Sequence, residues 1–244
     1  MNVRNSKSLN ILRTVSHEPS GIRWVGAAMV ALALVATGAP AQAGGTAGLA
    51  EIVEHVERTC KGVQDLSAKF VQTATNRSLG QVQEASGLFL LKRPGKMRWE
   101  YQKPEERLFV TDGKTLWAYS PLEKQVIVQE ISQAFTSRTP VSFLAGDCEL
   151  AREFDVSAVE HAGTRGAGVA ILDLKPKRPE GGIARVLLEV SLKTHTIEKT
   201  TLFDAYGNTT VVAFSNLKLN SGLSDAQFTF APPAGVTVVT PPKR

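Results

Sequence analysis

The sequence predicts a mainly β (α+β) fold: one large, curved antiparallel sheet of about eleven strands, covered by an N-terminal helix and a short helical insert. Three observations predict it. Apolar residues recur at helical spacing near residues 49–60. From residue 66 onward the apolar period is two. Turn signals divide the alternating segments, and the links are shorter than the dozen or so residues that a parallel crossover needs.

The chain opens on an address. Residues 24–37, WVGAAMVALALVAT, carry no charge. The run is shorter than the ~20 apolar residues of a membrane-spanning helix. Basic residues precede it and Ala41-Gln42-Ala43 follows it, which reads as a secretory signal peptide over 1–43, cleaved after Ala43. The competing reading of the same run is an N-terminal membrane anchor. No cysteine lies near the cleavage point to carry a bacterial lipid anchor. Export without an anchor places a soluble protein, one domain over 44–244, in the periplasm or outside the cell. That compartment has no ATP pool, so any work runs on binding energy.

Next comes the helix. Leu49, Ile52, Val53, Val56 and Cys60 share one face, with Glu51, Glu54, Glu57 and Arg58 elsewhere. Thr46 is the candidate cap. The apolar stripe must be buried on something. Strand candidates follow at 67–77, 84–92, 96–102, 106–111, 114–120, 124–130, 152–160, 167–174, 183–192, 195–204 and 208–219. Pro94-Gly95, Asp112-Gly113, Gly181-Gly182 and Gly207-Asn208 mark turns between them. Residues 131–150 break the alternation. There Thr139-Pro140 opens a short helix, with threonine as cap and proline at the first helical position.

Composition and motifs exclude most chemistry. With 43% hydrophobic and 21% charged residues, the chain is neither disordered nor fibrous. Beyond residue 43 it holds 24 basic and 22 acidic groups, a poor electrostatic footprint for nucleic acid. No HExxH, GxSxG, P-loop or CxxC occurs, so no metal, cofactor or nucleophile is implied. His55, His161 and His195 have no metal-ligand spacing and read as solvated; His17 leaves with the signal. Glu105-Glu106 reads as solvated charge. The run Lys175-Pro-Lys177-Arg178-Pro is either a solvated loop or a docking patch for an acidic partner or lipid head groups. Cys60 and Cys148 are either a disulfide joining the two covering elements or two buried thiols.

What remains is a sheet face rich in large groups: Phe70, Phe89, Leu91, Met97, Trp99, Tyr101, Phe109, Trp117 and Tyr119. Residue by residue these are core. As an ensemble, under one helix and a short insert, they describe an under-filled apolar concavity, which is a ligand site.

Four stretches carry a family resemblance. They are GLFLLKRPGKMRWEY over Gly87–Tyr101, VTDGKTLWAY over Val110–Tyr119, RTPVSFL over Arg138–Leu144 and FTFAPPAGV over Phe228–Val236. In this order they resemble the outer-membrane lipoprotein carrier proteins, the LolA family, and the resemblance spans about residues 46–240. It implies an unclosed antiparallel β-barrel with a helical lid. It implies a monomeric chaperone that takes acylated lipoproteins from an inner-membrane ABC transporter, LolCDE, and hands them to an outer-membrane receptor, LolB. That receptor is itself a lipoprotein, and no lipobox cysteine is present here. The acyl-chain cavity would be Phe70, Phe89, Leu91, Met97, Trp99, Tyr101, Phe109 and Trp117. Arg93 would be the latch that bonds to the lid and holds the empty form shut, and Pro140, Val141, Phe143 and Leu144 would lie in the lid. The two cysteines and the long leader depart from the family pattern. Two other readings compete. A lipid- or lipoprotein-sensing regulatory module of related fold usually carries a second C-terminal domain. A secreted lipid hydrolase needs a nucleophile–base set, and none is found.

Overall fold

The computed structural model describes residues 44–130, 148–159, 168–178 and 182–241. The proposed signal segment, the lid residues Pro140, Val141, Phe143 and Leu144, and His161 lie outside the described residues. Helix α1 runs Gly44–Gly62, and a single turn α2 spans Leu150–Glu153. The strands are β1 (Asp65–Asn76), β2 (Gln81–Lys92), β3 (Lys96–Lys103), β4 (Arg107–Asp112), β5 (Thr115–Ser120), β6 (Gln125–Glu130), β7 (Phe154–Ala158), β8 (Val169–Pro176), β9 (Ile183–Ser191), β10 (Ile197–Asp204), β11 (Thr209–Leu219) and β12 (Thr237–Val239). All lie in one compact unit, Ala43–Arg244.

The strands form one sheet in the order β12-β6-β5-β4-β3-β2-β1-β11-β10-β9-β8-β7. Its outermost strands, β12 and β7, do not pair with each other, so the sheet is open, as the family resemblance implies. Every predicted strand is present. Two details differ. Helix α1 begins at Gly44, two residues ahead of Thr46. A twelfth strand, β12, pairs parallel to β6. The long C-terminal connection from β11 makes that parallel pairing possible.

Period-two alternation gives the sheet two different faces, and the register shows which residues share one. On the inner face Ala68 stands opposite Phe89, Phe89 opposite Trp99, and Trp99 opposite Phe109. Val186, Leu188 and Val190 of β9 lie opposite Leu174, Leu172 and Ala170 of β8. Helix α1 lays Val53 and Val56 on this second group, with Leu150 and Ile197, to make an aliphatic core. Each such side chain contributes about 1.5–3 kcal/mol when fully buried. Arg185 pairs with Asp173 on the outer face at 2.7 Å, and Lys199 with Glu189 at 2.7 Å.

Two glycines are dictated by backbone geometry. At Gly87, where β2 bulges against β3, an added Cβ would strike the Glu100 carbonyl. Gly95 closes the β2–β3 turn at φ +67°, a left-handed conformation that glycine adopts without strain.

After β11 the chain crosses the outer face as a strap. Ser221 and Gly222 donate backbone N–H bonds to Asp65 at 2.8 and 2.9 Å. Asp225, in a 3-10 turn over Asp225–Phe228, pairs with Lys92 at 2.6 Å and Lys96 at 2.9 Å. Phe228 is fully buried, and Phe230 meets Tyr119 with ring centroids 5.4 Å apart.

Candidate functional site

The candidate site lies where α1 meets the aromatic part of the inner face. Phe70, Phe89, Leu91, Met97, Trp99 and Val212 form a second buried cluster, with Leu66, Tyr101 and Phe214 packed on it. The rings meet edge-on or tilted: Phe70 to Trp99 at 4.7 Å, Phe70 to Tyr101 at 4.9 Å and Phe89 to Trp99 at 4.5 Å between centroids. Such contacts contribute about 0.5–1.5 kcal/mol beyond area burial. Tyr101 donates its hydroxyl to Gln72 Oε1 at 2.9 Å, and burial pushes its phenol pKa up.

Between this cluster and the helix is an apolar pocket. Its cavity volume is about 50 Å³, and it is lined by Val56, Thr59 and Cys60 from α1 and Val63 just after it. Leu66, Phe89 and Leu91 line it from β1 and β2, Phe214, Leu217 and Leu219 from β11, and His195, Thr196 and Ile197 from the β9–β10 turn and the start of β10.

The structure sorts the expected cavity residues. Phe89 and Leu91 line the pocket, while Phe70, Met97, Trp99 and Tyr101 share their face in the cluster beside it. Phe109 shares that face too but is 37% exposed, at the cluster's margin, 5.9 Å from Tyr101. Trp117 is a correction. It pairs with Val110, which pairs with Arg98, so it lies on the opposite face from Trp99. The physical reason is the strap. With Phe228 buried against that side of the sheet, both faces of β4–β6 carry apolar residues, and alternation alone does not say which face is the concave one.

The β11 wall was missed, although Val212 and Phe214 alternate within a strand the sequence predicts. The histidine reading is also corrected. His55 and His195 are half-buried with ring centroids 4.6 Å apart, and His195 lines the pocket. Among the described residues no group of three or more His, Cys, Asp or Glu could hold a metal ion.

Arg93 occupies the tight turn between β2 and β3, beside the C-terminal end of α1. Its Nε donates to the Val63 carbonyl at 2.9 Å and its Nη2 to the Cys60 carbonyl at 3.4 Å. The last carbonyls of a helix have no intrahelical donor, and the helix dipole favours a cation there. Asn220 completes the junction by donating to the Gly62 carbonyl at 3.2 Å and accepting from the Gln64 N–H at 2.7 Å. The expectation put Arg93's acceptors on the lid. The lid residues lie outside the described residues; among those described, Arg93 also bonds to the end of α1 and the residue after it. A disulfide joins Cys60 to Cys148, with Cα atoms 5.9 Å apart, and Arg93 Nη2 lies 2.8 Å from Cys148 Sγ.

Comparison with known proteins gives the following. The family model described as outer membrane lipoprotein carrier protein LolA matches residues 61–231. An outer-membrane lipoprotein carrier protein of Chromobacterium violaceum is 37% identical over 214 residues, covering 87% of this chain and 96% of that one. One from Bordetella pertussis is 34% identical, covering 86% of this chain and 95% of the relative. An uncharacterized conserved protein of Thermus thermophilus is similar in structure at a TM-score of 0.51 and 17% identity, covering 80% of this chain and 99% of that chain, which supports the fold alone.

Proposed function

The chain belongs to the LolA family of outer-membrane lipoprotein carrier proteins, which are carriers rather than enzymes, and from that premise we propose that it is a periplasmic lipoprotein chaperone whose seam pocket shields acyl chains. The pocket between α1 and the aromatic cluster is the observation that carries this reading. It is apolar, and it is bordered by a helix end rather than sealed by continuous sheet.

Energetics constrain how such a carrier works. Burying acyl chain yields about 0.8 kcal/mol per CH₂, so one sixteen-carbon chain is worth roughly 12 kcal/mol gross. Three fully buried chains would exceed the practical ceiling of about 20 kcal/mol for non-covalent binding. A carrier must release its cargo, so burial is incomplete and opening carries a cost. Arg93 supplies that cost in this proposal. Its bonds to the Val63 and Cys60 carbonyls hold the helix end against the turn, and admitting a chain strains or breaks them. The lid residues Pro140, Val141, Phe143 and Leu144 would cover the bound chain.

In this reading the cargo comes from an inner-membrane ABC transporter of the LolCDE type and goes to an outer-membrane LolB-type receptor. Residues 1–43 act as the export signal. The test incubates the purified chain, freed of residues 1–43, with spheroplasts that are making a lipoprotein. The proposal expects newly made lipoprotein to enter the medium as a one-to-one complex. Lipoprotein retained on the spheroplasts would overturn it.

A further inference from the structure

Two sulfurs, one guanidinium and the pocket wall converge on a single point. Cys60 is half-buried on α1 and lines the pocket, whereas Cys148 is buried. Arg93 Nη2 lies 2.8 Å from Cys148 Sγ and 3.6 Å from Cys60 Sγ. Among the described residues, Lys61 and Glu149 lie beside the two cysteines in sequence and pair at 4.0 Å, and Glu149 also pairs with Arg152. A disulfide whose buried sulfur touches a fixed cation is set up for exchange rather than for permanence. The attacking thiolate reaches the more exposed sulfur, and the departing one leaves as a thiolate beside positive charge.

We infer that Cys60–Cys148 is a thiol-exchange site, attacked at Cys60 by a dithiol with Cys148 leaving as a thiolate held by Arg93, and that its redox state sets how readily the pocket opens. The inference rests on the carrier reading and adds a control to the same site. In the first step a dithiol's thiolate forms a bond to Cys60 Sγ. The Cys60–Cys148 bond breaks, and its electron pair goes to Cys148 Sγ. In the second step the dithiol's other thiolate attacks its own sulfur in the mixed disulfide and releases Cys60. The reductant leaves as a disulfide, and the protein has gained two electrons and, on protonation, two protons. Oxidised, the bond ties α1, which forms one wall of the pocket, to Cys148 just ahead of α2; reduced, that tie is gone and Arg93 gains a thiolate competing with the helix carbonyls.

The experiment measures the rate of disulfide reduction by dithiothreitol at fixed pH in wild type, Arg93→Lys and Arg93→Gln, with circular dichroism to verify the fold. A two-unit rise in the leaving thiol's pKa slows exchange about tenfold. Arg93→Gln is therefore expected to react about tenfold more slowly, with Arg93→Lys restoring most of the rate. A rate in Arg93→Gln equal to or above wild type overturns the inference. Uptake of a fluorescent fatty acid is then followed in oxidised and reduced wild type, and faster uptake is expected after reduction. Equal uptake in both forms overturns the control while leaving the carrier reading intact. Uptake by neither form overturns both.

Discussion

The inner face of the sheet has two halves that differ in material. Under α1, strands β7–β10 present valine, leucine and isoleucine, with Leu172 and Val190 fully buried. Across β11 and β1–β3 the same face is mostly aromatic, with tilted rings and a pocket along its border with the helix. Aliphatic side chains interdigitate into a dense, cohesive core. In the aromatic half, tilted, edge-on and stacked rings meet with centroids 4.5–6.3 Å apart, and the pocket runs along their border with the helix. The difference suggests a division of labour in which the aliphatic half anchors the helix and the aromatic half receives the chain.

Three perturbations break or sharpen this contrast, beginning with the largest. Leu172→Ala, in the anchoring half, is expected to lower stability by about 2–5 kcal/mol in urea unfolding while leaving the affinity of the folded protein for an acyl probe unchanged. A comparable loss of probe affinity would erase the distinction. Arg93→Leu removes charged hydrogen bonds worth about 1.5–3 kcal/mol each. It is expected to keep or improve lipoprotein uptake and to slow hand-off to a LolB-type receptor by about tenfold or more. Normal transfer in a reconstituted assay would count against the latch. Phe214→Ala, on the overlooked wall, is expected to weaken acyl-probe binding by about 1–2 kcal/mol through lost contact, as measured by fluorescence titration.

The strap supplies the smallest effect. Burial alone would raise the Asp65 pKa, yet hydrogen bonds from Ser221, Gly222 and Leu223 outweigh it and hold the carboxyl below the usual range. Hydrogen bonds from Lys92 and Lys96 bring Asp225 down to about 2. Carboxyls depressed in the folded state stabilise it above the unfolded value of about 3.9, and that contribution is lost as pH falls through the folded pKa. Protection factors against hydrogen exchange at residues 220–228 are therefore expected to fall between pH 4 and about 2 more than those in β9, and Asp225→Asn to flatten that response. Unchanged protection across that range would contradict it.

The anchoring half was readable in the sequence because Val186, Leu188 and Val190 take every second position, with Arg185, Glu189 and Ser191 on the other face and Leu187 the one apolar exception between them. The aromatic half was readable as a set of rings but not as an arrangement. Alternation separates the two faces within one strand, while the facing of one strand relative to the next depends on register. That is how Trp117 came to be grouped with Trp99. The strap and β12 were missed because Pro232-Pro233 and short polar runs give no periodic signal; the strap packs on the outer face at Tyr119, and β12 extends the sheet beside β6. Arg93 was marked by its Pro94-Gly95 turn, but its acceptors at the end of α1, some 30 residues away in sequence, were not.

The two tryptophans offer the most direct test. The chain has three, Trp24, Trp99 and Trp117, and removing residues 1–43 leaves the last two, on opposite faces of the sheet. Trp117→Phe keeps only the inner reporter and Trp99→Phe only the outer one. Titration with a brominated fatty acid, whose bromines quench indole fluorescence at contact, is predicted to extinguish Trp99 emission and leave Trp117 emission unchanged. Equal quenching of both, or quenching of Trp117 alone, would contradict a chain bound against the aromatic half.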